Sequence, residues 1–226
     1  MPQLADTPVY LFTSVSDSST LTTPSFTPAD DEVIVVKTAT SDSVITMGTP
    51  TGGSLTFGPP KVEMAPGGFR PVCSIYAVKV GTSPGSMTLS STPTGATHHS
   101  MVVERWLNAD LAGTPATGSA QGSTGVLPSG SLTSTGPASV VSWVSADIQS
   151  VDPATRGYLA SATEDGLYDG HGGANGVHYY ARQAAASVGS QTFGLTAPIG
   201  QQWVIAGIEI LDVPVTWTYG YDVRIG

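Results

Sequence analysis

Short runs of strand-forming residues recur along the whole chain, and this pattern limits its fold more than any other feature. Each run is rich in Val, Ile, Thr or aromatic residues and is bounded by Gly, Pro, Ser or Asp, as β-strands joined by turns are. Helical periodicity is hard to find anywhere in the sequence. The clearest runs are 9–15, 32–40, 54–58, 72–80, 86–92, 100–107, 139–148, 176–185, 190–197 and 202–211.

Many short strands without alternating helices predict an all-β fold, an antiparallel, jelly-roll-like β-sandwich of two facing layers. The connections "PTGG" (50–53) and "APGG" (65–68) contain residues that preset φ or tolerate positive φ, so short hairpin-like turns are expected. The segments "EVIVV" (32–36) and "WVIAGIEI" (203–210) are nearly continuous apolar runs, which predicts strands in the middle of a packed layer.

The chain, at 226 residues, is long enough to close one sandwich over a sizeable core. Residues 112–138 consist almost wholly of Gly, Ser, Thr, Pro and Ala, which favours a long surface loop, although a linker between two domains has a similar composition. The sequence on either side has too few strand runs to close a sandwich independently. We therefore predict a single domain over residues 1–212, followed by a C-terminal strand or tail over 213–226.

The tail alternates apolar and polar residues to the end of the chain, with the apolar and aromatic ones at the odd positions. Such period-two alternation predicts an extended strand. Two interpretations stay open: an ordinary closing strand packed on its own domain, or a strand that docks on a neighbouring subunit. For the docking interpretation, the expected interface residues are Val215, Trp217, Tyr219 and Tyr221.

Charge and cysteine content narrow the range of partners. Only 11% of the residues are charged, the formal net charge is −9, and the eight Lys and Arg residues are scattered singly, so binding to nucleic acid is not expected. Cys73 is alone and lies in the apolar run "PVCSIYAV", which predicts a buried, inert thiol. No stretch has the roughly 18 apolar residues of a spanning helix, and the N-terminus lacks a signal-peptide pattern, so neither membrane insertion nor secretion is expected.

The segment "EDGLYDGHGGANGVHYY" (164–180) concentrates acids, histidines and glycines and is a candidate metal or catalytic site. A calcium loop starting at Asp165 fails, because Leu occupies its third place and Gly its twelfth. His171 and His178 have no partner four residues away and no cysteine nearby, as a zinc site would need. We therefore expect no metal and no cofactor.

A glycosidase would need two facing carboxylates, for which Glu164, Asp165 and Asp169 are the candidates. Adjacent acids in a glycine-rich segment are, however, usually solvated turn residues that accept hydrogen bonds from nearby amides. We therefore predict a glycine-hinged connection between two strands at one end of the sandwich, with no catalytic residue. Loops at such an end often contact ligands, and the expected glycan contacts are Tyr168, Asp169 and His171.

Two further motifs are assigned to structure rather than to chemistry. The segment "GTSPG" (81–85) has the form of a nucleophile elbow, but Pro84 follows the serine and has no N–H to offer an oxyanion, so a turn is expected. His98 and His99 are consecutive on a strand and point to opposite faces, so they do not chelate one ion together.

The side chains of the strongest strands are assigned to the core or to its rim. Glu104 and Arg105 point to opposite faces of their strand, which predicts a cross-strand ion pair or a rim contact. Alternation predicts that one of Tyr179 and Tyr180 faces the core. The four tryptophans are expected to fill the core, except that Trp217 is expected to meet a partner; the others are Trp106, Trp143 and Trp203.

Seven strand segments occur in a characteristic order: "SFTPADDEVIVV" (25–36), "GGSLTF" (52–57), "SIYAVKV" (74–80), "MVVERWLNADL" (101–111), "VSWVSAD" (141–147), "HYYARQ" (178–183) and "QQWVIAGIEIL" (201–211). Together they resemble a β-sandwich domain of virion structural proteins in tailed phages of actinobacteria. The resemblance covers roughly residues 20–212, and it rests on hydrophobic strands rather than on a catalytic signature.

This resemblance implies a non-enzymatic structural protein of the virion, of the minor tail protein type, assembled in the host cytoplasm. The implied partners are other virion proteins and copies of the same chain, because virion appendages usually repeat one interface, and a host-surface glycan is a further expected partner. A capsid decoration or head-fibre protein is an alternative. A carbohydrate-binding module or a glycosidase that uses residues 164–180 is another.

Overall fold

The computed structural model describes residues 1–13, 15–42, 44–65, 71–111, 115–123, 125–148, 152–170, 176–185, 187–199 and 202–213. In these ranges the chain is all-β, and its strand pairs are antiparallel. The strands are β1 (Gln3–Leu4), β2 (Val9–Phe12), β3 (Leu21–Thr22), β4 (Val33–Thr40), β5 (Thr51–Gly52), β6 (Leu55–Thr56), β7 (Val62–Met64), β8 (Val72–Lys79), β9 (Ser90–Ser91), β10 (His99–Leu107), β11 (Ala109–Asp110), β12 (Thr117–Gly122), β13 (Ser129–Ser134), β14 (Val140–Ile148), β15 (Gly157–Tyr158), β16 (Thr163–Asp169), β17 (Val177–Ala184), β18 (Gly189–Ala197) and β19 (Gln202–Asp212). Short 3₁₀ turns cover Pro153–Thr155 and Leu159–Ser161.

The strands form four sheets. Sheet I has the order β1–β10–β4–β8–β7, with β2 also pairing β10, and sheet II has the order β11–β19–β14–β17–β16, with β12 also pairing β19. Sheet III has the order β13–β18–β15, and sheet IV has the order β3–β9–β5–β6. The longest strands belong mainly to sheets I and II, which form the centre of the molecule.

Three apolar cores separate the four sheets, which stack in the order IV, I, II, III. The first core lies between sheets I and II and includes Val35. The second lies between sheets II and III, around Trp143 and Phe193, and the third lies between sheets I and IV, around Ile34 and Leu89. Because successive residues of a strand point to opposite faces, Ile34 and Val35 contribute to different cores.

The predicted antiparallel sandwich is confirmed by sheets I and II, and each of the ten apolar runs contains a strand. Two of the runs hold only the short strands β6 and β9. The nearly continuous apolar strands β4 and β19 are buried along almost their whole length, as predicted for the middle of a packed layer. Sheets III and IV cover the faces that a two-layer sandwich would leave to solvent.

Residues 112–138 are not a long surface loop, because they contain β12 on the edge of sheet II and β13 in sheet III. The prediction is wrong because small residues here allow two layers to approach closely rather than marking a loop. A Cβ atom on Gly118 would collide with the carbonyl of Ser131, and one on Gly130 would lie 2.7 Å from the ring of Phe193. Larger side chains would push sheet III away from sheet II.

The residues expected in the core are buried, and the one correction concerns the two adjacent tyrosines of β17. Tyr180 lies in the first core and Tyr179 in the second, so both tyrosines are buried, because both faces of sheet II are covered. The expected ion pair at Arg105 is present, with its Nε atom 2.6 Å from Oε1 of Glu32. The residues confirmed as buried are Cys73, Trp106, Trp143 and Trp203.

The last described residue of the chain is Val213, whose amide N–H donates to the carbonyl of Asn108 at 3.2 Å. The docking residues expected in the tail, Val215, Trp217, Tyr219 and Tyr221, lie outside the described residues. In the described ranges, no helix combines the length and the apolar character needed to cross a lipid bilayer.

Candidate functional site

Residues 163–184 form a β-hairpin rather than the expected strand connection. β16 pairs with β17 along its length, and residues 170–176 join the two strands. The amide of Gly170 donates to the carbonyl of Gly176 at 3.1 Å. The prediction of a connection before the strand run at 176–185 is wrong for residues 164–169, because the buried strand β17 has a second edge whose N–H and C=O groups need partners, and β16 supplies them.

A bulge in β16 turns Asp165 toward the first core. The pairing passes from Glu164 opposite Ala181 to Gly166 opposite Tyr180, which leaves Asp165 as the extra residue. Bulges re-aim side chains in this way. The side chain of Asp165 is therefore enclosed between sheets I and II, contrary to the expectation of a solvated turn residue.

A buried charge cluster joins sheets I and II and consists of Lys37, Glu104, Asp165 and Arg182. The Nζ atom of Lys37 lies 2.6 Å from Oε1 of Glu104 and 2.9 Å from Oδ2 of Asp165. The other oxygen of Asp165, Oδ1, pairs with the guanidinium of Arg182. The first three side chains are 0% exposed, and that of Arg182 is 22% exposed.

Glu104 is held in one orientation by two further donors. The indole N–H of Trp106 donates to its Oε2 atom at 3.0 Å, and the hydroxyl of Ser142 donates to the same atom at 2.8 Å. The ammonium of Lys37 also donates to the carbonyl of Ala181 at 3.2 Å, so each of its three N–H groups has an acceptor. Oε1 of Glu104 therefore stays directed at Lys37.

Burial changes the acid–base properties of the two cations in the cluster. Removal from water lowers the pKa of Lys37, although the adjacent carboxylate of Glu104 opposes this effect. Burial likewise lowers the pKa of Arg182. Charges in such a place are costly unless they are paired, and the cluster pairs two cations with two carboxylates. The amine of Lys37 is therefore closer to its neutral form than an exposed lysine amine is.

A cleft of about 600 Å³ opens beside the cluster at the edge of the sandwich. Arg182 lines this cleft, and so does Trp106, which donates to Glu104. The cleft gives water a route to the outer side of the cluster. Its other lining residues are Pro2, Gln3, Leu4, Val140, Ala160, Thr163, Gln183 and Ala184.

The expected glycan contacts lie near the end of the hairpin. Tyr168 is only 5% exposed, and its ring lies 6.1 Å from that of Phe12. Phe12 is 52% exposed, and Asp169 is exposed as well. His171 lies outside the described residues. Phe12, Tyr168 and Asp169 are called the distal patch, in which Phe12 supplies the aromatic surface and Tyr168 packs beside it.

The buried histidines are hydrogen-bonded parts of the fold. The hydroxyls of Ser41 and Ser100 lie 3.1 Å from Nε2 and 2.7 Å from Nδ1 of His178, and burial lowers the pKa of His178 to about 3. His99 is also buried, and its ring nitrogens contact backbone carbonyls. In the part of the chain that the structure describes, no group of three or more His, Cys, Asp or Glu residues is placed to hold a metal ion.

Glu164 and Asp165, two of the acids considered for a glycosidase, contact different layers. Glu164 accepts hydrogen bonds from Arg156 at 2.5 and 2.9 Å and from the hydroxyl of Tyr158 in sheet III. Asp165 instead contacts Lys37 in sheet I. The two carboxylates therefore do not face each other across a shared space.

The sequence pattern did not indicate Lys37 and Arg182 as members of a site. A usable signal was present, because each is an isolated cation in an apolar strand, in "VIVVKTA" (33–39) and "HYYARQ" (178–183). Comparison of the chain with protein-family models, with curated proteins and with solved structures finds no match. Its function is therefore inferred from its own residues and their arrangement.

Proposed function

We propose that the chain is a non-enzymatic structural protein of a bacteriophage virion, of the minor tail protein type. In this proposal the C-terminal residues 213–226 dock on the phage tail, and the loops at the opposite end of the strands of sheet II face the host surface. The strand segments that resemble virion proteins support the proposal. The observation that supports its two-ended organisation is that Asp212, the last residue of β19, and the distal patch lie at opposite ends of sheet II.

That placement follows from the strand register. β19 ends at Asp212, where the tail begins. At the other end of β19, Trp203 is level with Asp169 of the distal patch. The two residues are linked across the sheet by the paired residues Asp147 and Val177 of the intervening strands β14 and β17. At about 3.3 Å per residue, the strand from Trp203 to Asp212 separates the two ends by roughly 30 Å.

This separation suits a particle protein that binds neighbours at one end and the host at the other. The three filled cores between the sheets stiffen the strands that run from one end to the other, because close-packed interiors have low compressibility. The buried charge cluster adds direct contacts between sheets I and II. A stiff spacer holds the distal patch at a fixed distance from the docking surface.

Deletion of residues 213–226 tests the docking function. The truncated chain is expected to keep its far-ultraviolet circular dichroism and its cooperative thermal unfolding, but to lose self-association in analytical ultracentrifugation and incorporation into phage particles. Phe12→Ser, at the distal end, is the matched control and is expected to incorporate normally. Normal incorporation of the truncated chain would refute docking through the tail, and labelling of the capsid instead of the tail would favour the decoration alternative.

The distal patch favours a second function, contact with a glycan of the host surface. Ligand sites commonly combine aromatic surface with a few polar groups, and here the exposed ring of Phe12 lies beside Tyr168, which Asp169 follows in β16. Phe12→Ala and Asp169→Asn are expected to weaken binding to purified host cell-wall polysaccharide. Val188→Ala, which changes an exposed apolar residue elsewhere, is the control. If all three variants bound the polysaccharide as well as the unaltered chain does, glycan binding by the distal patch would be refuted.

A further inference from the structure

A primary amine and a carboxyl group meet inside the first core. Nζ of Lys37 lies 2.9 Å from Oδ2 of Asp165, and both side chains are 0% exposed. Lys37 belongs to sheet I and Asp165 to sheet II, so a covalent bond between them would fasten the two central sheets together. We propose that these side chains condense to an intramolecular isopeptide bond, with Glu104 as the proton carrier.

The amine must be neutral to act as a nucleophile, and its surroundings favour that form. Burial lowers the pKa of Lys37, and Oε1 of Glu104 is 2.6 Å from Nζ, within reach of the ammonium proton. Trp106 and Ser142 occupy the other oxygen of Glu104, so the proton-accepting oxygen remains directed at Lys37. Glu104 therefore touches one of the reacting atoms.

The carboxyl group of Asp165 is prepared as the electrophile. Its Oδ2 atom faces the ammonium that Glu104 also contacts, so a proton moves from Lys37 through Glu104 to Oδ2 over short distances. Its Oδ1 atom pairs with the guanidinium of Arg182. That cation is placed to stabilise the negative charge that develops on Oδ1 when the carbonyl carbon is attacked.

The reaction balances within the cluster. After the first proton transfer, the lone pair of Nζ attacks Cγ of Asp165, and a bond between nitrogen and carbon forms. A second proton leaves Nζ through Glu104 for Oδ2, and the bond between Cγ and Oδ2 breaks to release one water molecule. Glu104 ends as a carboxylate and Arg182 stays protonated. One ammonium and one carboxylate become one amide and one water, and no other reactant is consumed.

Two physical effects favour the bond. Groups held in contact in a fixed orientation react as if at effective concentrations on the order of 10⁵–10⁸ M. Condensation also removes one positive and one negative charge from the core, which lowers the cost of burying the cluster, while Glu104 and Arg182 remain as opposite charges. The released water has an exit beside Arg182, through the cleft that this residue lines.

Intact mass spectrometry of the purified, denatured chain tests the bond. The mass is expected to lie below the sequence mass by one water molecule. Protease digestion is expected to yield a branched peptide that joins the β4 segment to the β16 segment, with no tryptic cleavage after Lys37. A folded chain that shows the full sequence mass overturns the proposal.

Three variants assign the roles of the residues. Glu104→Gln is expected to fold and to keep its full mass, because the proton carrier is gone. Asp165→Asn is expected to lose one ammonia instead of one water, which identifies the leaving group. Lys37→Arg keeps a cation but not the amine, so its full mass is expected, whereas the control Lys79→Arg is expected to show the same loss of water as the unaltered chain.

These outcomes remain decisive if one variant fails to fold, which circular dichroism and thermal unfolding reveal. The leaving group of Asp165→Asn settles the site of the bond if another variant fails, and the branched peptide of the unaltered chain settles it if Asp165→Asn itself fails. A loss of water that persists in Lys37→Arg or in Asp165→Asn places the dehydration elsewhere and overturns the proposal. The result is independent of the proposed virion function, because it is read from the mass of the isolated chain.

Discussion

Lys37 on β4 and Glu104 on β10 form a buried diagonal pair across neighbouring strands of sheet I, with 2.6 Å between Nζ and Oε1. Lys37 lies opposite Val102, and Glu104 lies opposite Val35, so the pair is surrounded by apolar residues of the strands on which it stands. Charges in such surroundings depend on each other, since removal of one leaves the other uncompensated in a medium of low dielectric constant. The stability of the central sandwich is therefore tied to this pair.

Substitution of Lys37 by Met is expected to lower the free energy of unfolding by at least about 3–5 kcal/mol, because Glu104 and Asp165 would stay buried without their shared cation and the proposed bond between the two sheets could not form. Lys79→Met is the matched control. Lys79 is on the neighbouring strand β8, is 41% exposed, and lies 3.6 Å from Asp31, so its loss is expected to change stability by less than about 0.5 kcal/mol. Urea titration measures both values, and equal small effects would contradict a stabilising function of the buried pair.

Substitution of Gly118 by Ala tests the close approach of sheets II and III. A Cβ atom at this position meets the backbone carbonyl of Ser131, which does not move as a flexible side chain would. Overpacking of this kind is expected to cost about 1–3 kcal/mol. Gly85→Ala is the control, because a Cβ atom there meets nothing within 4 Å. Similar melting temperatures for the two variants would show that the layers are not closely packed at Gly118.

The long strands were predictable from the sequence because the apolar residues that bury them also form recognisable runs. β4, β10, β14 and β19 were located to within one or two residues, since Val, Ile and aromatic residues fill cores on their two faces. β12 and β13 were not recognised. Their alternating Gly, Ser and Ala residues have little apolar signal, and their positions depend on packing against Trp203 and Phe193.

The buried charge cluster was beyond prediction for a different reason. Its members come from β4, from β10 and from the β16–β17 hairpin, which are far apart in the sequence, and only the packing of sheet I on sheet II brings them together. The bulge at Asp165 is also decisive, because it turns this residue into the first core. Local sequence indicated only adjacent acids in a glycine-rich segment, for which a solvated turn is the usual structure.

Acid is expected to destabilise the fold through His178. Burial lowers the pKa of this residue from 6.5 to about 3, so the unfolded chain takes up a proton at pH values where the folded chain does not. Its stabilising contribution is complete above about pH 6.5 and is lost progressively toward pH 3, by about 5 kcal/mol in total. His178→Gln is expected to flatten the dependence of unfolding free energy on pH in this window. If the unfolding free energy of His178→Gln depended on pH as steeply as that of the unaltered chain, His178 would not be a neutral, buried imidazole in the folded protein.

Asp147 is expected to have the opposite dependence on pH. Burial raises its pKa from 3.8 to about 7, and the nearby amide of Val177 offsets this only in part. Within the described residues, no side chain donates a hydrogen bond to the carboxylate of Asp147. The folded chain therefore keeps a proton that the unfolded chain releases, so stability falls as the pH rises from about 4 to 7.

Asp147→Asn is consequently expected to stabilise the chain at pH 8 by about 2–4 kcal/mol, with a gap that narrows toward pH 5. Glu209→Gln is the contrasting control, because Glu209 is another buried acid of sheet II but accepts hydrogen bonds from Ser134 and Ser139. Although burial opposes them, these bonds and those from nearby backbone amides lower the pKa of Glu209 to about 2. Its substitution is expected to destabilise the chain at pH 8. Destabilisation by Asp147→Asn at the same pH would show that the carboxylate of Asp147 has a partner in the folded protein, because an unpaired buried charge cannot favour folding.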